Sequence, residues 1–272
     1  MAIAAKIETA LQRSHGVAAV VLHKSAGKMR LLRLRQQGSA KVILPVVGDV
    51  PEVVFLNTSG GLTGGDTLAF QLSVGAGGQA VGTTQTAERA YRAGDGFAEV
   101  SVELDVGAGG RLDWLPQETI LFDKSALVRR TTVDLAADAS FLGLEAIVLG
   151  RPAMGEVVTQ MMLRDTRLIR RDGEIVMWEP LALDSAALRR NAGVLGQAKA
   201  FANLVMLGRD LDAVLVAVRA VLDEPGVDAA ASAWDGKLSV RMMAVDGWPL
   251  RRQIRRVLDA IRPGPLPRVW QM

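Results

Sequence analysis

Leu72-Ser73-Val74-Gly75-Ala76-Gly77-Gly78 returns 32 residues later as Leu104-Asp105-Val106-Gly107-Ala108-Gly109-Gly110. Each copy ends an alternating apolar segment in a glycine turn, which reads as strand, tight turn, strand. Val133-Asp134-Leu135-Ala136-Ala137-Asp138-Ala139 is a third copy, and Leu168-Ile169-Arg170-Arg171-Asp172-Gly173 a looser fourth. A near-regular period of about 30 residues marks stacked supersecondary units, none of which buries its apolar face alone. The expected fold is therefore mainly β, an irregular β-helix or solenoid-like arrangement of stacked sheets. Unrelated hairpins with glycine turns would share the phrase without stacking, and this is the competing reading.

Outward from the repeat, Val53–Leu56 reads as a short strand before the turn cluster Asn57-Thr58-Ser59-Gly60-Gly61. Leu68, Phe70, Leu72 and Val74 share one face of the next strand. The last third changes character. Ala200–Leu207 reads as a strand, and Asp210–Leu222 as a helix with Asp210 as its N-cap. Val227–Ala233 and Lys237–Val245 pair around the hairpin dipeptide Asp235-Gly236. Pro249 opens a second helix with the stripe Leu250, Ile254, Val257, Leu258 and Ile261, and Pro263-Gly264-Pro265 ends it. Arg251, Arg252, Arg255 and Arg256 form its other face, a solvated surface or a dock for an acidic protein. Arg268-Val269-Trp270 reads as a last strand. The 272 residues thus read as one domain, with a β-rich body over about 38–195 and a C-terminal α+β segment over about 196–272 carrying two α-helices.

Composition removes several function classes. With no cysteine and two histidines, His15 and His23, the chain lacks the means for a disulfide scaffold, a thiolate metal site or a cysteine nucleophile. The net charge is +3, carried mainly by arginine, and 4% aromatic content is too little for base stacking, so nucleic acid is not an expected partner. No apolar run is long enough for a membrane span and no secretory leader is evident, so the expected location is cytoplasmic. Gly75-Ala76-Gly77-Gly78-Gln79-Ala80 matches a loose dinucleotide pattern but continues as a strand. Gly60-Gly61-Leu62-Thr63-Gly64-Gly65-Asp66 lacks the Lys-Ser/Thr of a phosphate loop. What remains is carboxylate, hydroxyl and amide chemistry, which holds hard divalent cations, or nickel weakly and transiently.

Such residues recur six to eight positions after each turn: Thr84 and Gln85, then Gln117 and Glu118, then Glu145, then Glu179. Glu145 interrupts the apolar run Leu142–Leu149, and burying a carboxylate costs several kcal/mol unless it is paired or solvated. Stacked copies would form a polar column through an apolar body. Strand alternation equally allows each to point into solvent.

The phrases Leu56-Asn57-Thr58-Ser59-Gly60-Gly61-Leu62-Thr63-Gly64-Gly65-Asp66 and Trp114-Leu115-Pro116-Gln117-Glu118-Thr119-Ile120-Leu121-Phe122-Asp123 resemble the urease accessory protein UreD (UreH) family. Thr83-Thr84-Gln85, Leu149–Glu156 and the closing Leu266-Pro267-Arg268-Val269-Trp270 extend the likeness from about Gly38 to the end, while the first 37 residues carry less of it. The resemblance implies a non-enzymatic urease maturation factor with no tightly bound cofactor. It would assemble with UreF and the GTPase UreG on apo-urease and conduct Ni²⁺ through an internal tunnel. It also implies a largely β fold with two α-helices. Asp66, Glu145 and Glu179, then Thr84 and Glu118, are the residues assigned to the tunnel wall, and the C-terminal segment with the second helix is assigned to the UreF contact. The alternatives are a β-solenoid interaction module unrelated to urease and an enzyme with an all-oxygen divalent-metal site.

Overall fold

Leu72 lies directly beside Leu104, Leu104 beside Val133, and Val133 beside Ile169, each on a neighbouring parallel strand. The repeat is a physical stack. Its fourth copy sits one residue later than the sequence alignment suggests, since Ile169 rather than Leu168 takes the core position. This places the apolar side chain inward, as strand alternation demands. The computed structural model describes residues 12–46, 48–151, 154–189, 193–262 and 264–271. Residues 1–11, Pro152, Ala153 and Pro263, which entered the sequence reading, lie outside them.

In chain order the body contains β1 (His15–Ser25), β2 (Lys28–Gly38), β3 (Ala40–Ile43), β4 (Glu52–Asn57), β5 (Thr67–Val74), β6 (Gln79–Thr84) and β7 (Glu88–Ala90). It continues with β8 (Ala98–Val106), β9 (Arg111–Trp114), β10 (Thr119–Leu121), β11 (Ser125–Leu135), β12 (Ser140–Leu149), β13 (Met161–Arg171), β14 (Glu174–Asp184) and the short helix α1 (Ser185–Arg189). The C-terminal elements are β15 (Ala200–Leu207), α2 (Leu211–Arg219), β16 (Val227–Trp234), β17 (Lys237–Ala244) and α3 (Gly247–Ile261). The strands divide between two sheets. One has seven strands in the order β14-β13-β11-β8-β5-β1-β2; the other has ten, in the order β16-β17-β15-β12-β9-β6-β4-β3, with β10 and β7 continuing beside the second half of β12. The strands β1 and β2 belong to the first sheet, and β15–β17 extend the second, so the end segments share the sheets of the body. Gly77 and Gly109 hold the same left-handed turn conformation, φ 61°, one above the other, which glycine adopts without a Cβ clash.

Three layers result. The facing surfaces of the two sheets enclose one core, including Phe70, Leu72, Leu104, Trp114, Val133, Leu163 and Ile169. The outer surface of the ten-stranded sheet packs under α2 and α3 through Leu142, Leu144, Val240, Leu250, Ile254, Val257 and Trp270. The strand β12 is covered on both sides, which explains its continuous apolar run. Leu142, Leu144, Ala146 and Val148 meet the helix layer, so alternation turns Glu145 to the opposite side, between the sheets.

Three local expectations are corrected. Asp210 occupies the N-cap position of α2 at φ 55° and its carboxylate caps nothing, because a capping side chain needs extended backbone to reach the helix amides. Arg268–Trp270 forms a 3-10 turn rather than a strand, closed by Trp270 N–H to Pro267 O at 2.8 Å, and Trp270 buries its ring and donates Nε1–H to Leu115 O at 2.9 Å. The helix α1 adds a third helix to the expected two. Among the described residues no helix is long and apolar enough to cross a membrane.

Candidate functional site

The core between the sheets is apolar at β5 and β8 and becomes polar from β11 onward. In the seven-stranded sheet, register sets Phe70, Val102, Thr131, Arg167 and Glu179 in one cross-strand row. The adjacent row is Leu68, Val100, Arg129, Asp165 and Leu181. In the ten-stranded sheet Glu145, Asn203 and Arg241 form a third row. Hydrogen bonds join it to the first: Thr131 Oγ1 donates to Glu145 Oε1 at 3.3 Å, and Asn203 Nδ2 to Glu179 Oε1 at 2.6 Å.

Arg129 is the hub. Its guanidinium grips Asp165 with two N–H groups, Nε to Oδ1 at 3.0 Å, while Nη1 donates to Thr119 Oγ1 at 3.1 Å and lies 2.7 Å from Glu145 Oε2. The Nη1–Glu145 contact is an ion pair without hydrogen-bond alignment. Both carboxylates of this cluster are 11% exposed at the side chain. Burial pushes the Glu145 carboxyl above its ordinary range, against the opposing pull of Arg129. Arg167 donates from Nε and Nη2 to Glu179 Oε2, while its buried Nη1 has no hydrogen-bond partner among the described residues. Glu179 also lies 3.7 Å from Arg241, which is largely exposed. The rows thus run from the interior to the surface.

At the other end two small cavities adjoin. One of about 40 Å³ is lined in part by Thr84, Glu88, Gln117, Thr119, Arg129 and Glu145. The second, about 70 Å³, is lined in part by Asn57, Gly60, Thr84, Gln85 and Glu88. Phe70, Thr84 and Glu88 belong to both. Spaces this small admit water or a bare ion, since organic ligand pockets run to about 300–1,000 Å³. Glu88 at the junction is pushed up to about 7 by burial, with the Arg89 amide, the Asn57 side chain and the Arg89 charge pulling the other way.

The sequence-predicted residues divide. Thr84 and Glu145 line the same cavity, and Glu179 continues the polar rows from it. Asp66 lines neither cavity. Its two oxygens accept the Ser14 and Thr63 amides, which tie the glycine-rich loop to the start of β1. Glu118 lines neither cavity and points toward α3, 3.4 Å from Arg251, while its neighbour Gln117 accepts from the same guanidinium at 2.6 Å and also lines the cavity. Of the arginine face of α3, Arg251 is bound to Gln117 and Glu118, and Arg252 and Arg256 pair with Glu224, so three of the four are engaged within the chain.

Glu88, Arg129, Asp165 and Arg167 escaped the sequence reading. For three of them a signal existed. Arg129 and Thr131 fall on the same alternating face as Leu127 and Val133, and Asp165 and Arg167 on that of Leu163 and Ile169. Among the described residues no group of three or more His, Asp or Glu side chains converges as a metal-holding cluster. The arrangement is a line of separated carboxylates, hydroxyls and amides interleaved with the buried Arg129 and Arg167.

The family model described as UreD urease accessory protein matches residues 14–271. The "Urease accessory protein UreD" of Cereibacter sphaeroides is 60% identical over 264 residues, 96% of each chain. That of Dinoroseobacter shibae is 53% identical over 265 residues, 96% of this chain and 94% of the relative. That of Rhizobium leguminosarum bv. viciae is 45% identical over 96% of both.

Proposed function

The chain belongs to the UreD urease accessory protein family, and from that premise we propose that it is a urease maturation factor that conducts Ni²⁺ toward the apoenzyme. It works without catalytic chemistry of its own, in the cytoplasm, in a complex with UreF and the GTPase UreG docked on apo-urease. The observation that supports this reading is the continuous polar line through an apolar β-body, from the cavities at Glu88 and Thr84, past Glu145, to Glu179 at the edge. Along it Glu88, Glu145, Asp165 and Glu179 outnumber the buried cations Arg129 and Arg167. The carboxylates, Glu88 once its proton is displaced, offset part of the dehydration cost of a divalent ion. Separated single carboxylates hold it weakly enough to release it. Asp66 and Glu118 act indirectly in this reading, by fixing the glycine-rich loop and the Gln117 wall.

The test is activation of apo-urease by UreF, UreG, GTP, bicarbonate and nickel, with and without the chain, read as urea hydrolysis and co-elution on a sizing column. Activation and a stable complex only with the chain present are expected. Equal activity in both samples refutes the role. Glu145→Ala and Glu179→Ala are expected to lower activation while co-elution persists, and loss of assembly instead assigns them a purely structural part.

A further inference from the structure

The strand β2 ends the seven-stranded sheet, and among the described residues its outer edge pairs with no other strand. Its register against β1 sorts its side chains sharply. Arg35, Arg33, Arg30 and Lys28 lie opposite Ala19, Val21, His23 and Ser25, on the outward face. Leu34, Leu31 and Met29 lie opposite Val20, Leu22 and Lys24, on the face that continues the core. Leu32 is the extra residue of a bulge between them. The strand has no acidic residue, and none of the ion pairs among the described residues involves its four cations.

The core-side face is left short of cover. The opposite sheet ends in the four-residue β3, which meets β2 at Gln36, whose Oε1 accepts the Val42 amide at 2.7 Å. Beyond that point Leu34 and Leu31 remain 40% and 45% exposed, although Val20 and Leu22 beside them are buried. An eleven-residue edge that pairs with no other strand among the described residues, apolar on one face and basic on the other, is a template for strand addition. A second copy of this chain fits poorly. Pairing β2 with its own twofold mate sets arginine against arginine, and like charges across a strand pair repel.

We propose that the outer edge of β2 docks an extended acidic segment of a protein partner. That segment adds a strand to the sheet, with carboxylates against Arg30, Arg33 and Arg35 and apolar side chains over Leu31 and Leu34. The assignment rests on the maturation role, because it places the docking partner among the proteins of that assembly.

The test uses the full chain with apo-urease and, separately, with UreF, and reads affinity and amide hydrogen exchange. One of the two complexes is expected to slow exchange over residues 28–38. R30E/R33E/R35E is expected to weaken that complex by at least about tenfold, through repulsion of an acidic partner, with the unfolding midpoint unchanged. R30K/R33K/R35K is expected to retain binding. Complexes that form with residues 28–38 exchanging as in the free chain overturn the surface while leaving the maturation role intact. A wild-type chain that binds neither protein overturns both. If deleting residues 1–11 speeds exchange over residues 28–38 in the free chain, the occupant is the chain's own N-terminal segment. If the free chain is a dimer that R30E/R33E/R35E dissociates, the occupant is a second copy. Either result overturns an acidic partner.

Discussion

Replacing Glu88 by Gln should flatten the pH dependence of folding stability in a way that can be worked from the structure. Burial raises the Glu88 carboxyl from 4.5 to about 7. The folded chain therefore holds this proton more tightly than the unfolded chain does. Stability contributed by the protonated group is fully present below pH 4.5 and is lost as the pH rises toward 7. The full difference is about 3 kcal/mol, at 1.36 kcal/mol per pKa unit. Because both states titrate partly at intermediate pH, about 2 kcal/mol of it falls between pH 5.5 and 8. Urea unfolding of the wild type and of Glu88→Gln across that range isolates the effect. Lost hydrogen bonds to Asn57 or altered packing shift the variant by a constant, whereas the ionisation contribution appears only in the slope. The variant should gain about 2 kcal/mol on the wild type from pH 5.5 to 8. Parallel profiles would refute the burial argument and, with it, the placement of Glu88 at a desolvated junction between the cavities.

Asp165→Ala strips the bidentate partner from the buried Arg129 and leaves it with Glu145 and Thr119; thermal or urea unfolding should show a loss of about 3 kcal/mol, the low end of the range for orphaning a buried charge. Gly82→Ala places a Cβ 2.7 Å from the Trp114 ring and 2.9 Å from Leu72 in the floor of the core, so a destabilisation of about 1–3 kcal/mol by overpacking is expected in the same assay. Trp270→Phe removes the indole donor to Leu115 O, which still accepts from Thr83 Oγ1 at 2.6 Å, so the loss should be one hydrogen bond, about 0.5–1.5 kcal/mol, with a looser C-terminal turn in amide exchange.

The stacked architecture was legible because alternation and the glycine turn recur together: Val74-Gly75 and Val106-Gly107 repeat both the core residue and the turn that follows it. The fourth copy slipped by one residue because Asp172-Gly173 makes a tighter turn than its counterparts, and turn length is what anchors register in a sequence alignment. Glu145 was legible because nothing else polar interrupts Leu142–Leu149. Arg129 and Arg167 were harder to find, since arginine in a strand usually marks a solvated face. Only the facing partners Asp165 and Glu179, supplied by strands 36 and 12 residues away, make their burial tolerable. Asp66 misled for the opposite reason. A carboxylate in a glycine-rich phrase suggests a ligand, yet it is spent on two backbone amides that the turn would otherwise leave unpaired.

The same pairing explains how a polar line persists inside a hydrophobic β-body. Each buried charge on β11 and β13 is met by an opposite charge one strand away or across the interior, so no group bears the full cost of leaving water. Compensation of this kind is nearly neutral for stability relative to an apolar core, so stability alone does not account for it. Glu145 and Glu88, the two carboxyls that burial pushes upward, line the cavities, and of the two Glu88 has no arginine ion pair among the described residues. In transit as proposed, a divalent cation would supply positive charge beside Glu88 and displace the proton that burial favours there, which returns once the ion moves on. On the proposed function, nickel transit is thus coupled to proton release, and urease activation should be faster at pH 8 than at pH 6 in the wild type. The Glu88→Gln chain should lose part of that difference. An identical pH profile in the two chains would show that Glu88 takes no part in transit.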